Sequence, residues 1–317
     1  GNGYTFYSST DTEVAIKLVD YYYEKYKLGP VDAITRTMVR VRGSYALALM
    51  FRDYPGEIFC ARNGSPMIIG KNGKNAFIAS DVPAILNHTR KVYYIDNMEM
   101  ARLKEGSIEF YNIDCEPLVK TLTEITWDAE AAERGGFEHF MMKEIHEQPT
   151  GLSETLLRRL NDDNTIKLDG ITMTKEDIEG FNKVYIVACG TAYHAGLVGK
   201  AAIEKMAKIP VEVDIASEFR YRDPFVDDKT LFIAISQSGE TLDTLAALRE
   251  AKSKGARILS VVNVVGSSVA RESDDVFYTW AGPEIAVAST KAYTTQLMCM
   301  YLIALYMGHT KGVIDQD

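Results

Sequence analysis

Leu231-Phe232-Ile233-Ala234-Ile235-Ser236-Gln237-Ser238-Gly239-Glu240-Thr241 opens with five apolar residues and turns abruptly polar. A short apolar run bounded by turn chemistry reads as a buried strand, and Thr241 to Lys254 continues with helical periodicity. The same unit repeats outward on both sides. Val184–Ala188 is a strand before a helix from Thr191 to Lys208, and Val211–Asp214 is the next, with a helical turn near Ser217–Arg220. Ala256–Val262 leads into a turn and helix, and Val276–Thr279 precedes a long helix from Ala288 to Tyr306. Apolar runs alternating with amphipathic helices predict an α/β doubly wound parallel sheet.

In such a sheet ligands bind at the carboxyl ends of the strands, so the residues just after each strand carry the functional signal. Ser236, Gln237, Ser238 and Thr241 place three hydroxyls and an amide around Gly239 at a helix start. The free N–H groups and positive dipole end of a helix attract anions, hydroxyls add donors, and glycine lets backbone approach closely. A lone Ser or Thr before a helix is ordinarily an N-cap, but a cap needs one hydroxyl, and here several are packed together. Cys189-Gly190-Thr191-Ala192 and Val287-Ala288-Ser289-Thr290 repeat the theme at two further helix openings. Three polar openings on one side of a parallel sheet describe a pocket for a phosphorylated, hydroxyl-rich small molecule. Neither GxxxxGK[ST] nor GxGxxG is present, which disfavours a nucleotide. Cys189 closes a buried strand and reads as small packing rather than a nucleophile.

Towards the N-terminus the rhythm changes. Thr12–Tyr26 and Asp32–Arg40 read as helices, followed by strands Tyr45–Phe51, Glu57–Ala61, Pro66–Ile69, Ala76–Ala79, Val92–Ile95, Glu99–Leu103 and Ser107–Tyr111. Asn63-Gly64 and Asn72-Gly73 are hairpin signals between them. Antiparallel strands with a helix pair predict an α+β layered domain over residues 1–112. A polar linker over 113–136 and the α/β domain over 137–317 follow. Thr10 and Glu13 form a candidate capping box, leaving Asp11 available as an ammonium partner.

The 317 residues are 46% apolar and 25% charged, with a net charge of -9. An acidic chain with no Lys/Arg-rich block is a poor ligand for nucleic acid. No apolar run is long enough to cross a bilayer, so no membrane association is expected. Its four cysteines lie far apart without a CxxC pair, and its five histidines form no metal motif. Those cysteines suggest a reducing, cytoplasmic setting.

Ala188-Cys189-Gly190-Thr191-Ala192-Tyr193-His194, Ala216 to Arg222, Ser236 to Thr241 and Val287 to Ala292 resemble the first isomerase (SIS) domain of the glutamine:fructose-6-phosphate aminotransferase family. The entry helix Phe137 to Pro149 resembles it too. In the first half, Gly3-Tyr4-Thr5-Phe6, Thr10 to Glu13, Gly43 to Ala46, Arg62 to Pro66 and Phe77 to Asp81 resemble the same family's Ntn-type glutaminase sandwich. The resemblance runs through essentially the whole chain, in order. It implies transfer of the amide nitrogen of L-glutamine to D-fructose 6-phosphate, giving D-glucosamine 6-phosphate and L-glutamate, with neither a metal nor another cofactor. It assigns the phosphate to Ser236, Gln237, Ser238 and Thr241, and the sugar to Thr191, Val287 and Ser289. Ala192 stands where the family often has serine and could offer only a backbone contact. Asp11 would grip the α-amino group of glutamine.

The family's N-terminal cysteine nucleophile matches none of the four cysteines, and its second isomerase domain, with the acid–base and Schiff-base residues, is not matched. The resemblance therefore implies a binding half, with no catalytic residue in this chain, of an enzyme that dimerises. Lys291 reads as a solvated or ion-paired group rather than a substitute base. Two other readings are a regulatory module that senses sugar phosphate with a decayed glutaminase half, and a stand-alone sugar-phosphate isomerase or deglycase. The glutaminase half counts against the latter.

Overall fold

The computed structural model describes residues 3–86, 88–125, 134–161, 163 and 165–315, arranged as two compact units, Gly1–Thr126 and Trp127–Asp317. The first opens with helices α1 (Asp11–Tyr26) and α2 (Pro30–Arg40). Pro30 sits at the first helical position, where its missing N–H costs nothing. Pro30, Ala33, Ile34, Thr37 and Met38 form the buried stripe of α2, at helical spacing.

Among the described residues nine strands follow: β1 (Tyr45–Leu49), β2 (Ile58–Asn63), β3 (Ile68–Asn72), β4 (Asn75–Ala79), β5 (Lys91–Tyr94), β6 (Glu99–Lys104), β7 (Ser107–Tyr111), β8 (Pro117–Leu118) and β9 (Thr123–Glu124). They form two antiparallel sheets, ordered β1-β2-β6-β7-β8 and β4-β3-β5-β9. Strand β2 shows how the layers are built. Phe59 and Ala61 face a core shared with Val19, Ile34 and Met38 of the helices, while Cys60 faces Met67, Ile69, Ile95 and Phe110.

Two sequence expectations change here. Asn63-Gly64 is not a hairpin turn, because β2 and β3 belong to different sheets. Gly64 has φ +73, and a Cβ there would lie 2.4 Å from Ser44 Oγ; its N–H donates to Asn97 Oδ1 at 2.7 Å. The β3–β4 hairpin does form, but Asn72 pairs with Asn75, so its two turn residues are Gly73 and Lys74. The expected linker, 113–136, also differs. Its residues 117–118 and 123–124 pair with β7 and β5 of the first unit, and residues 126–133 lie outside the described residues.

The second unit begins with α3 (Phe140–His146) and α4 (Gln148–Leu157). One entry helix over Phe137–Pro149 was expected; the helix breaks at Glu147, since Pro149 cannot donate back into a continuing helix but suits the start of α4. Then come α5 (Lys175–Gly180), β10 (Lys183–Ala188), α6 (Gly190–Met206), β11 (Val211–Ile215), α7 (Ala216–Phe219), β12 (Thr230–Ser236), α8 (Leu242–Ser253), β13 (Arg257–Val262), α9 (Ser268–Glu272), β14 (Asp275–Tyr278) and α10 (Lys291–Thr310). The five strands are parallel, in the order β11-β10-β12-β13-β14. Ile186, Ile233 and Val261 face one core with Ile203 of α6 and Met300 and Ile303 of α10. Val187, Ala234 and Val262 face the other, with Phe219, Leu248 and Val269. Helices thus cover both faces, as a doubly wound sheet requires.

Candidate functional site

Counted within the second unit, the strand order is 2-1-3-4-5: the chain steps outward from β10 to β11 and returns on the other side of β10 as β12. Helix α6 then packs on one face and α8 on the other, so the loops leaving β10 and β12 run to opposite faces, the switch point at which doubly wound sheets take their ligands. Ala188 is in register with Ile235, which brings Cys189–Ala192 and Ser236–Thr241 off the sheet side by side.

The turn after β12 is built from its own hydroxyls. Ser236, 3% exposed, accepts from the Gly239 N–H at 3.0 Å and lies 3.0 Å from Thr241 Oγ1. Ser238 Oγ accepts from the Glu240 N–H at 3.1 Å, leaving its own proton to donate. Gly239 has φ +65, and a Cβ there would meet Ser267 Oγ at 2.0 Å. Thr241 occupies the N-cap position of α8 but makes no side-chain capping bond. Gln237 is half-buried in the same turn. From behind, the segment after β13 holds the turn: Asn263 N–H donates to Gln237 O at 3.1 Å and Val269 N–H to Gly239 O at 2.9 Å. Ser268 N–H donates to Glu240 Oε1 at 2.8 Å.

At the opening of α6, Cys189 stands at the N-cap without a side-chain capping bond and packs into the α8-side core. Thr191 is exposed and Ala192 is 8% exposed.

The opening of α10 departs from the expectation of three alike. Glu284 Oε1 accepts from the N–H groups of Thr290 (2.8 Å) and Ala292 (3.0 Å), and Glu284 Oε2 accepts from Ser289 Oγ at 2.9 Å. A carboxylate of the chain itself occupies this helix end, where its charge suits the dipole, so this opening is not free to take an anion. Val287 is fully exposed and can offer a ligand its backbone. The loop carrying it is tied down by Glu144, 1% exposed, whose Oε1 accepts from Ile285 N–H at 2.6 Å and Ala286 N–H at 3.1 Å. Lys291 is buried rather than solvated, and its Nζ pairs with Glu147 Oε2 at 2.6 Å.

In the first unit Asp11 begins α1, is exposed, and receives a 3.5 Å contact from Thr12 Oγ1. The expected Thr10–Glu13 capping box is absent. Glu13 instead accepts from the N–H groups of Tyr7 (2.9 Å) and Ser8 (2.7 Å) and from Ser8 Oγ (2.6 Å). Those bonds hold its carboxyl below the usual range, the Ser8 hydroxyl contributing most. Burial pushes the Cys60 and Cys299 thiols up to about 12, which keeps both protonated and inert. Among the described residues, no group of three or more His, Cys, Asp or Glu could hold a metal.

Glu144, Asn263 and Glu284 organise this site, and sequence reading did not single them out. Asn263 carried a signal, standing first after β13 at a strand's carboxyl end. Glu144 and Glu284 act across the tertiary fold or a loop, and no local pattern marks them.

A doubly wound sheet with a hydroxyl-lined turn at its switch point defines a class. The SIS domain model matches residues 178–306, and the Glutamine amidotransferase domain model matches residues 1–87. The second unit thus matches a SIS domain model over most of its length, and the first matches a glutamine amidotransferase domain model.

Along nearly its whole length the chain is similar to curated proteins named glutamine–fructose-6-phosphate aminotransferase [isomerizing]. It is 58% identical to the protein of Clostridium acetobutylicum over 315 residues, which is 99% of this chain and 51% of that protein. Against that of a Thermus thermophilus strain it is 45% identical over 313 residues, 98% of this chain and 50% of the relative. The chain spans about half the length of the curated relatives it matches. A solved C-terminal domain of glucosamine-fructose-6-phosphate aminotransferase from Francisella tularensis aligns at TM-score 0.55 and 48% identity, covering 58% of this chain and 52% of that one.

Proposed function

We propose that this chain supplies the sugar-phosphate cradle and part of the glutamine site of an enzyme that moves the amide nitrogen of L-glutamine onto D-fructose 6-phosphate. The products are D-glucosamine 6-phosphate and L-glutamate. In this reading the hydroxyls of Ser236, Ser238 and Thr241 and the amide of Gln237 donate to the phosphate. Thr191, the backbone at Ala192 and Val287, and Ser289 border the sugar. Asp11 accepts the α-ammonium of glutamine. The second unit is the first of two SIS domains, and the complete protein is a cytoplasmic homodimer.

The observation that carries this reading is the Ser236–Thr241 hydroxyl pair at the switch point. Thr241 sits where a capping bond is available and does not make one. A phosphate in the crevice gains both the hydroxyl donors and the positive end of α8. Names of relatives that include fructose 6-phosphate fit the same ligand.

Calorimetric titration of the chain with fructose 6-phosphate tests the proposal, beside a Ser238→Ala, Thr241→Ala variant. Saturable binding that disappears in the variant is the expected result. Folded protein that gives no binding to fructose 6-phosphate would sink it.

A further inference from the structure

Asn263 is 3% exposed and makes bonds on two sides. Its backbone N–H donates to Gln237 O in the hydroxyl-lined turn at 3.1 Å. Its side chain reaches the other way: Nδ2 donates to Gly282 O at 2.7 Å, while Oδ1 accepts from Thr279 Oγ1 at 2.8 Å and Ala281 N–H at 3.0 Å. A backbone N–H can only donate and a carbonyl can only accept, so Ala281 and Gly282 fix which end of the amide points where. No other neutral side chain of this size offers an acceptor and a donor in that fork. A buried network with every member paired is rigid, because any slip leaves a polar group without a partner in a low-dielectric interior.

The bridged segments are the two that the proposed site needs at a set separation. One is the turn Ser236–Thr241; the other is the stretch after β14 that leads from Ala281 to Val287 and Ser289. Glu144 and Glu284 pin that stretch further along, but Asn263 bonds both it and the turn.

We infer that Asn263 is a positioning residue that sets the distance between the phosphate-binding turn and the sugar-facing loop. The inference rests on the sugar-phosphate reading of this site. It makes a specific demand: losing the side chain should loosen the sugar end while the phosphate end, held by the Asn263 backbone, stays in place.

The test titrates the full chain with fructose 6-phosphate and, separately, with inorganic phosphate, which engages only the turn. In Asn263→Ala, affinity for fructose 6-phosphate is expected to fall about tenfold, and that for inorganic phosphate to stay within about twofold. Asn263→Asp keeps the acceptor but sets an oxygen against Gly282 O, so it should follow the alanine variant. Thr279→Val, which removes one bond at nearly constant volume, should move fructose 6-phosphate affinity in the same direction by less. Equal losses for both ligands, or no loss for either, overturn the inference, and Thr279→Val decides the matter if Asn263→Ala does not fold. If the unsubstituted chain binds neither ligand, the sugar-phosphate reading itself fails and this inference falls with it.

Discussion

At Thr241 the helix-capping position and the hydroxyl are uncoupled, since the side chain turns to Ser236 Oγ and not to the first turn of α8. That arrangement separates stability from binding. Thr241→Val removes one half-buried hydroxyl contact and should cost about 1 kcal/mol or less in urea unfolding. In calorimetry the same change should weaken fructose 6-phosphate about tenfold. A cap would show the reverse pattern, with about 1 kcal/mol or more of stability lost and affinity untouched. Gly239 is constrained more tightly than its neighbours, because its positive φ and Ser267 both leave no room for a side chain.

At the scale of elements, α3 and the start of α4 hold the opening of α10 and the loop before it. The Lys291 side chain is 3% exposed, and the Glu147 carboxylate that it meets is 29% exposed, with Lys143 3.4 Å away. The two ends of this pair are unequal. Removing the carboxylate leaves an ammonium in the interior without its partner, whereas removing the ammonium leaves a carboxylate that still has Lys143 and some water. Glu147→Ala should therefore destabilise the chain by about 3 kcal/mol, and Lys291→Met by about 1 kcal/mol. Chemical denaturation of both variants measures the asymmetry; equal losses would contradict it.

For the whole molecule, each unit has its own core and one buried thiol that reports on it: Cys60 in the first and Cys299 in the second. Both thiols are raised from the ordinary 9.0 to about 12 by burial. Between those values the native state keeps protons that the unfolded chain releases. Stability is thus fully present below about pH 9 and falls as pH rises towards about 12. Urea midpoints measured on either side of about pH 9 should show this decline. It should be shallower in Cys60→Ala and in Cys299→Ala, and an unchanged slope in both would show that other groups set it.

Local pattern determined a good deal of this protein. The runs Val184–Ala188 and Leu231–Ile235, each buried on both faces, read as parallel strands because few other structures hide so continuous an apolar stretch. The strand-end rule then pointed to Thr191 and to Ser236–Thr241, since a doubly wound sheet directs those residues to one crevice. Tertiary structure alone decided the rest. The split of the first unit's short strands into separate sheets depends on which strands meet, so Asn63-Gly64 carried a hairpin signal where no hairpin forms. Glu13 could serve Thr10 or Tyr7 and Ser8, and only the folded loop chose the latter. Glu144 and Ile285 are 141 residues apart in sequence, and Lys291 and Glu147 are 144 apart. A bond across such a separation leaves no periodicity in the chain, because its geometry is set by the packing of elements and not by the residues beside it.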